Sequence, residues 1–213
     1  SVTGVQTCAL PILASDGFVV DDVEVCPASA DVVDPEFHPD GDRVVFMDSV
    51  GRVRVAGILP DGSIDSPGCE GETVDTGSVW TLPDITFRQG PEWGLSARGS
   101  EIIHTRQLKD GSFTLARAWR DGGVWRAENL LRGSERGMQI VSRDAQDPQS
   151  RIMYLRRMSD GSYRPHWRES NKPLTEAALN ASGSLDSGGV PRWVPDRRWI
   201  SFAQADADGV AQA

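Results

Sequence analysis

No apolar run in this chain approaches the roughly 20 residues that a helix needs to cross a bilayer. Long helical periodicity is missing as well. Basic charge is scarce: 22 Lys and Arg stand against 31 Asp and Glu, a net charge of -9. A dispersed acidic surface repels phosphate backbones, which argues against nucleic acid or an anionic membrane as the main partner. The chain has no GxSxG, no HExxH, no P-loop and no glycine-rich dinucleotide fingerprint, so no cofactor is expected. Its three histidines, His38, His104 and His166, are far apart, and its three cysteines form no CxxC. No metal centre is therefore expected. What the chain does have is 22 Gly, 13 Pro and 7 Trp among short β-rich runs, the composition of many short strands joined by turns.

Residues 2–12, VTGVQTCALPI, match at every position the translation of a DNA-sequencing adapter, a resemblance to a laboratory oligonucleotide. Residues 1–12 are accordingly set aside from fold reasoning as a non-native segment. Residues 13–213 are read as one domain, with the native start expected upstream. Cys8 falls in the adapter segment, leaving Cys26 and Cys69. These are either a disulfide formed in an oxidising compartment or two independent thiols, and the sequence leaves both open.

A repeat organises the remainder. DPEFHPDGDRVVFMD from Asp34, GPEWGLSARGSEIIHTR from Gly90 and VPRWVPDRRWISFAQ from Val190 share a Pro, an aromatic two residues on, a polar turn and a β-rich run. A weaker copy starts at Met138. Starts at Pro35, Pro91, Met138 and Pro191 give steps of 56, 47 and 53 residues. Gly-containing turn signals recur between short alternating runs, at Val50-Gly51, Asp61-Gly62, Asp110-Gly111, Asp121-Gly122 and Asp160-Gly161. Asp-Gly pairs at these places predict type I′ hairpins. Each period then reads as four antiparallel strands, the pattern of a β-propeller blade.

PEFHPDGDRVVF (35–46) resembles the Pro-x-aromatic-Ser-Pro-Asp-Gly motif of TolB-like, WD-repeat-like propellers, with His38 where the motif has Ser. The resemblance implies an all-β propeller with three full blades and partial blades at both ends. On this reading residues 13–34 hold an outer strand of a preceding blade and residues 191–213 begin a following one. The chain is expected to be cut inside its third strand. The motif aromatics Phe37, Trp93 and Trp193 are expected to pack between blades, and Asp40 to be a turn residue. Such a protein would be periplasmic or secreted, and a monomer when its ring is complete.

Two sets of residues are candidates for chemistry. Asp34, Glu92 and Asp144, at the entries of innermost strands, would converge near a central channel. Converging like charges raise one pKa and make an acid/base pair, as glycoside hydrolysis requires. Solvated acids, or acids paired with Arg143 and Arg192, are the structural alternative. The second set is aromatic: Trp80 sits in the Gly- and Thr-rich run TGSVWTLPD, within an apparent insertion over residues 66–90, and is the tryptophan expected to be exposed. Trp119 and Trp125 flank one hairpin and fit packing on outer strands. QADADGV (204–210) reads as a hairpin turn rather than a calcium loop.

The reading that follows is a non-enzymatic platform binding a protein or glycan, with Trp80, Asp34, Glu92 and Arg192 at its binding face. The alternatives are a five-bladed propeller glycosidase and the gating propeller of a serine peptidase resembling prolyl oligopeptidase.

Overall fold

A computed structural model describes residues 11–13, 19–22, 32–66, 70–78, 90–96, 99–131, 140–143, 151–157, 163–169, 177–178, 192–193, 200–201, 204–205 and 211–212. Side chains are described for 32–66, 70–78, 90–94, 99–131, Ile152, Tyr154, His166 and Trp167. All secondary structure among these residues is β, and no helix long and apolar enough to cross a membrane is found among them.

A first hairpin pairs β1 (Pro11–Leu13) with β2 (Val19–Asp22), beginning inside the adapter-like segment. Three four-stranded antiparallel meanders follow. The first sheet runs β3 (Val33–Phe37), β4 (Arg43–Met47), β5 (Val53–Gly57) and β6 (Glu72–Asp75). The second runs β7 (Glu92–Ser96), β8 (Gly99–Gln107), β9 (Phe113–Asp121) and β10 (Val124–Asn129). The third runs β11 (Ile140–Arg143), β12 (Arg151–Arg157), β13 (Tyr163–Glu169) and β14 (Ala177–Ala178). Two antiparallel pairs complete the described chain, β15 (Arg192–Trp193) with β16 (Ile200–Ser201) and β17 (Gln204–Ala205) with β18 (Ala211–Gln212). No barrel closure joins the sheets among the described residues.

The middle sheet is buried on both faces, and period-2 alternation divides its side chains between them. Ile102, Ala118 and Trp93 pack with Val45, Val53, Val55 and Val74 of the first sheet, and half-buried Trp125 joins them. Their strand neighbours Ile103 and Leu115 turn the other way, packing with Leu130, Leu131, Ile152 and Tyr154 against the third sheet. In the first sheet Val44, Phe46 and Ala56 form a further cluster on the face away from the second, flanked by Val32, Phe37, Ile58 and Ile64. Burial on both faces explains why RVVFM in β4 reads as a continuous apolar run rather than an alternating one. β3 lies beside β7 and β6 beside β10, so the first two sheets pack strand on corresponding strand, first against first and fourth against fourth. β11 packs on β8 and β9.

The hairpins correct one expectation. Gly41, Gly62 and Gly111 donate their N–H groups back to the carbonyls of His38, Leu59 and Leu108 at 2.8, 2.8 and 2.9 Å. Only the glycine of each Asp-Gly pair has positive φ there. The loops at Gly62 and Gly111 have three residues and the loop at Gly41 has four, between the paired His38 and Arg43; each is built on a type I turn closed by a left-handed glycine rather than on a type I′ turn. The type I′ geometry occurs at Gly122-Gly123, φ 56° and 85°, between the paired residues Asp121 and Val124. In two loops the aspartate holds its own turn: Asp61 and Asp110 accept from the N–H and hydroxyl of Ser63 and Ser112.

Part of the apparent insertion over 66–90 proves to be ordinary sheet, since it supplies β6. Beyond β6 the chain follows the stretch of β8 that the shorter β7 leaves unpaired. Ser78 bridges to Arg106, Gln107 N–H donates to Gly77 O at 2.9 Å, and Ser78 N–H donates to Gly51 O at 2.9 Å.

Candidate functional site: the seam between the first two sheets

Polar side chains concentrate where the first and second sheets meet. At the β3 end, Asp34 adopts φ 45°, the one non-glycine residue with positive φ among those described. Its carboxylate accepts the Gly90 N–H, and a Cβ at Gly90 would stand 2.7 Å from the Asp34 Cβ. Two residues on, Glu36 accepts two bonds from Trp93: the Trp93 N–H donates to Glu36 Oε2 at 2.6 Å, and the indole Nε1–H donates to Glu36 O at 3.1 Å. Trp93 is 1% exposed. A buried indole bonded through its one donor is a structural anchor.

His38 follows, 4% exposed, its ring edge on Trp93 with centroids 4.7 Å apart and planes at 87°. Its Nε2 lies 2.7 Å from Ser100 Oγ of β8. Its Nδ1 accepts the Asp40 N–H at 3.2 Å and stands 3.5 Å from carboxylate oxygens of both Asp40 and Asp42. Arg43 completes this corner, with Nε 3.0 Å from Asp42 Oδ1 and its guanidinium 5.5 Å from the Trp93 ring centre. Burial pushes the His38 imidazole pKa down, helped by Arg43 and opposed by the two aspartates. The bond from Arg43 holds the Asp42 carboxyl below its usual value.

At the β6 end, Asp75 Oδ2 accepts from His104 Nε2 and from Arg106 Nε at 2.9 Å, while Arg106 Nη1 donates to Asn129 Oδ1 at 2.6 Å. His104 is 1% exposed. Burial drives its imidazole towards the neutral form, against the pull of Asp75. For Asp75 burial acts upward, but the bonds from His104 and Arg106 outweigh it and the carboxyl stays below its ordinary value. A comparable cap closes the β4–β5 loop. Buried Asp48 accepts the N–H groups of Val50 and Arg52 and both their neighbouring guanidinium groups, Arg52 and Arg54. These bonds outweigh the burial that would raise its pKa.

The expected site residues are distributed differently from a convergent acid cluster. Asp34 is committed to the Gly90 backbone. Glu92 is buried at 9% exposure and lies opposite Ile103, on the face that packs towards the third sheet. Arg192 lies in β15 opposite Ser201. Asp144, Trp80, Cys26, Cys69 and Arg143's side chain lie outside what is described. Trp119 and Trp125 occupy opposite faces of their hairpin, paired with Arg126 and Arg120. Arg117 stacks over Trp119 and Arg120 over Trp125. The expectation that the motif aromatic packs between sheets holds at Trp93.

Sequence reasoning missed Glu36, Asp75 and the pairing of His104 with Arg106. The signal was present in EIIHTRQ of β8, where His104 and Arg106 fall on the Ile102 face. A buried His and Arg on one face require a carboxylate partner, and only the packing of β6 identifies it. No protein-family model matches the chain, and no curated protein matches it.

Proposed function

We propose that the chain is part of a β-propeller of the TolB-like kind that serves as a recognition platform for a protein or glycan outside the cytoplasm. The observation that carries this reading is the stacking of consecutive four-stranded meanders, the first two with first strand beside first and fourth beside fourth, and the third with its first strand against the middle strands of the second. Sheets added in this way generate a radial array, with loops collected at the two ends of the strands. Asp34, Glu36 and Asp75 along the first seam are consumed by sheet-to-sheet bonds, which favours a rigid scaffold over a reactive cleft. The commitment of Asp34 to Gly90 weighs for the platform over the glycosidase.

The test is binding of the full chain to arrays of glycans and extended peptides. Selective binding that is lost in Trp80→Ala is expected. Affinity unchanged in Trp80→Ala and in a shortened 79–89 loop would remove that face from the reading. Hydrolysis of an aryl glycoside by the unaltered chain would replace the platform with the glycosidase.

A further inference from the structure

We propose that His38, Asp40 and Asp42 form a three-ligand site for a zinc-class divalent cation, with Arg43 as the cationic group that the metal displaces. The three ligand atoms all lie within 4.8 Å of one another. His38 Nδ1 is 3.5 Å from Asp40 Oδ2 and 3.5 Å from Asp42 Oδ1. Zinc bonds of about 2.0–2.2 Å at tetrahedral angles set neighbouring ligand atoms roughly 3.3–3.6 Å apart. Both imidazole-to-carboxylate edges therefore match without movement of the ring. The remaining edge closes by rotation of aspartate side chains that are 74% and 58% exposed.

The imidazole is prepared in the way a metal ligand requires. Its Nε2 is taken by Ser100 Oγ at 2.7 Å, which leaves the Nδ1 lone pair facing the two carboxylates and fixes the ring, as outer partners of ligating histidines do. The competing donors at Nδ1 are the Asp40 N–H at 3.2 Å, the long end of hydrogen-bond distances, and Arg43 Nη2 at 3.5 Å. Within the chain's own repeat His38 and Asp42 belong to the first copy alone, whereas Asp40 recurs as Asp196 in the last. The positions of His38 and Asp42 are Gly94 and Arg98 in the second copy and Val194 and Arg198 in the last. The turn itself therefore does not demand them. An imidazole with two carboxylates selects zinc, cobalt or nickel over calcium or magnesium, which take oxygen ligands.

Arg43 supplies the positive charge without a metal, with Nε 3.0 Å from Asp42 and Nη2 over the His38 ring, 3.3 Å from Nε2 and 3.5 Å from Nδ1. Its side chain is 35% exposed and rests on Trp93, so it can leave the carboxylates and keep the ring. Binding thus exchanges one cation for another, and the Ser100 bond makes the second sheet part of the site.

The probe is cobalt(II), added to the full untagged chain with its thiols alkylated so that cysteine cannot ligate. A visible absorption band of four-coordinate cobalt at one equivalent, displaced by zinc, is expected. Asp42→Asn, a surface change that spares the fold, should weaken binding at least about tenfold, and Ser100→Ala by about tenfold. Arg43→Gln should tighten it. No band with the unaltered chain, or equal affinity in Asp42→Asn, overturns the site. Weaker or unchanged binding in Arg43→Gln overturns the exchange.

Discussion

Oδ2 of Asp75, on the last strand of the first sheet, lies 2.6 Å from Nε2 of His104 inside the second. The same oxygen takes two bonds from Arg106, and Nδ1 of His104 is buried without a hydrogen-bond partner among the described residues. Neutral His104 donating from Nε2 satisfies this arrangement. A protonated ring would place a second buried N–H where none of the described residues accepts it.

Acid should therefore loosen the seam. The folded-state pKa of His104 lies below its ordinary 6.5 and that of Asp75 below its ordinary 3.8. The unfolded state binds more protons in both windows, so stability is full above them and is lost as pH falls. The thermal midpoint should be flat above about pH 7 and fall below about pH 6.5, first through the histidines and then through Asp75. His104→Gln should reduce the first part of the fall. His38, also depressed by burial, contributes to the same window. A midpoint that rises on acidification contradicts the assignment.

Trp93 joins packing and hydrogen bonding at the opposite end of the seam. Trp93→Ala should cost about 3–5 kcal/mol in urea denaturation, the range for deleting a buried large aromatic. Trp93→Phe keeps much of the volume but leaves the Glu36 carbonyl without the indole donor, and should fall between that variant and the unaltered chain. Equal stability of all three would remove Trp93 from the core.

Two glycines of similar φ should respond differently to alanine. Gly51 (φ 79°) would place a Cβ 2.5 Å from Ser78 O, whereas Gly111 (φ 82°) has nothing within 4 Å. Gly111→Ala should cost only the left-handed strain of about 1–2 kcal/mol. Gly51→Ala adds a backbone clash where the chain after β6 reaches β8, and should cost clearly more. Chemical denaturation of the two variants side by side decides this.

Asp34→Asn should be nearly silent in stability, within about 1 kcal/mol, because Asn tolerates positive φ and its carbonyl still accepts the Gly90 N–H. Asp34→Val loses the acceptor and strains a β-branched residue, and should destabilise by roughly 2 kcal/mol or more. The pair separates a structural role for this carboxylate from a chemical one: a structural carboxylate survives Asn, and a reacting one does not.

The sequence by itself determined the local architecture. The spacing of Pro-x-aromatic windows, Asp-Gly turns and short alternating runs is enough for three successive four-stranded antiparallel units, because strand length and turn chemistry are local properties. It also marked Trp93 for the space between sheets. Turn class was misread because Asp-Gly fits both a two-residue type I′ turn and the later places of a three- or four-residue loop; backbone closure at His38, Leu59 and Leu108 selects the longer loops. The partners of buried polar groups were decided by tertiary structure alone. Asp34 with Gly90, Glu36 with Trp93, Asp75 with His104 and His38 with Ser100 join residues 29 to 62 positions apart. Nothing in either local stretch names the other. A carboxylate at a strand entry looks the same on paper whether it faces solvent, a substrate or the backbone of the next sheet, and the difference arises only when the sheets pack.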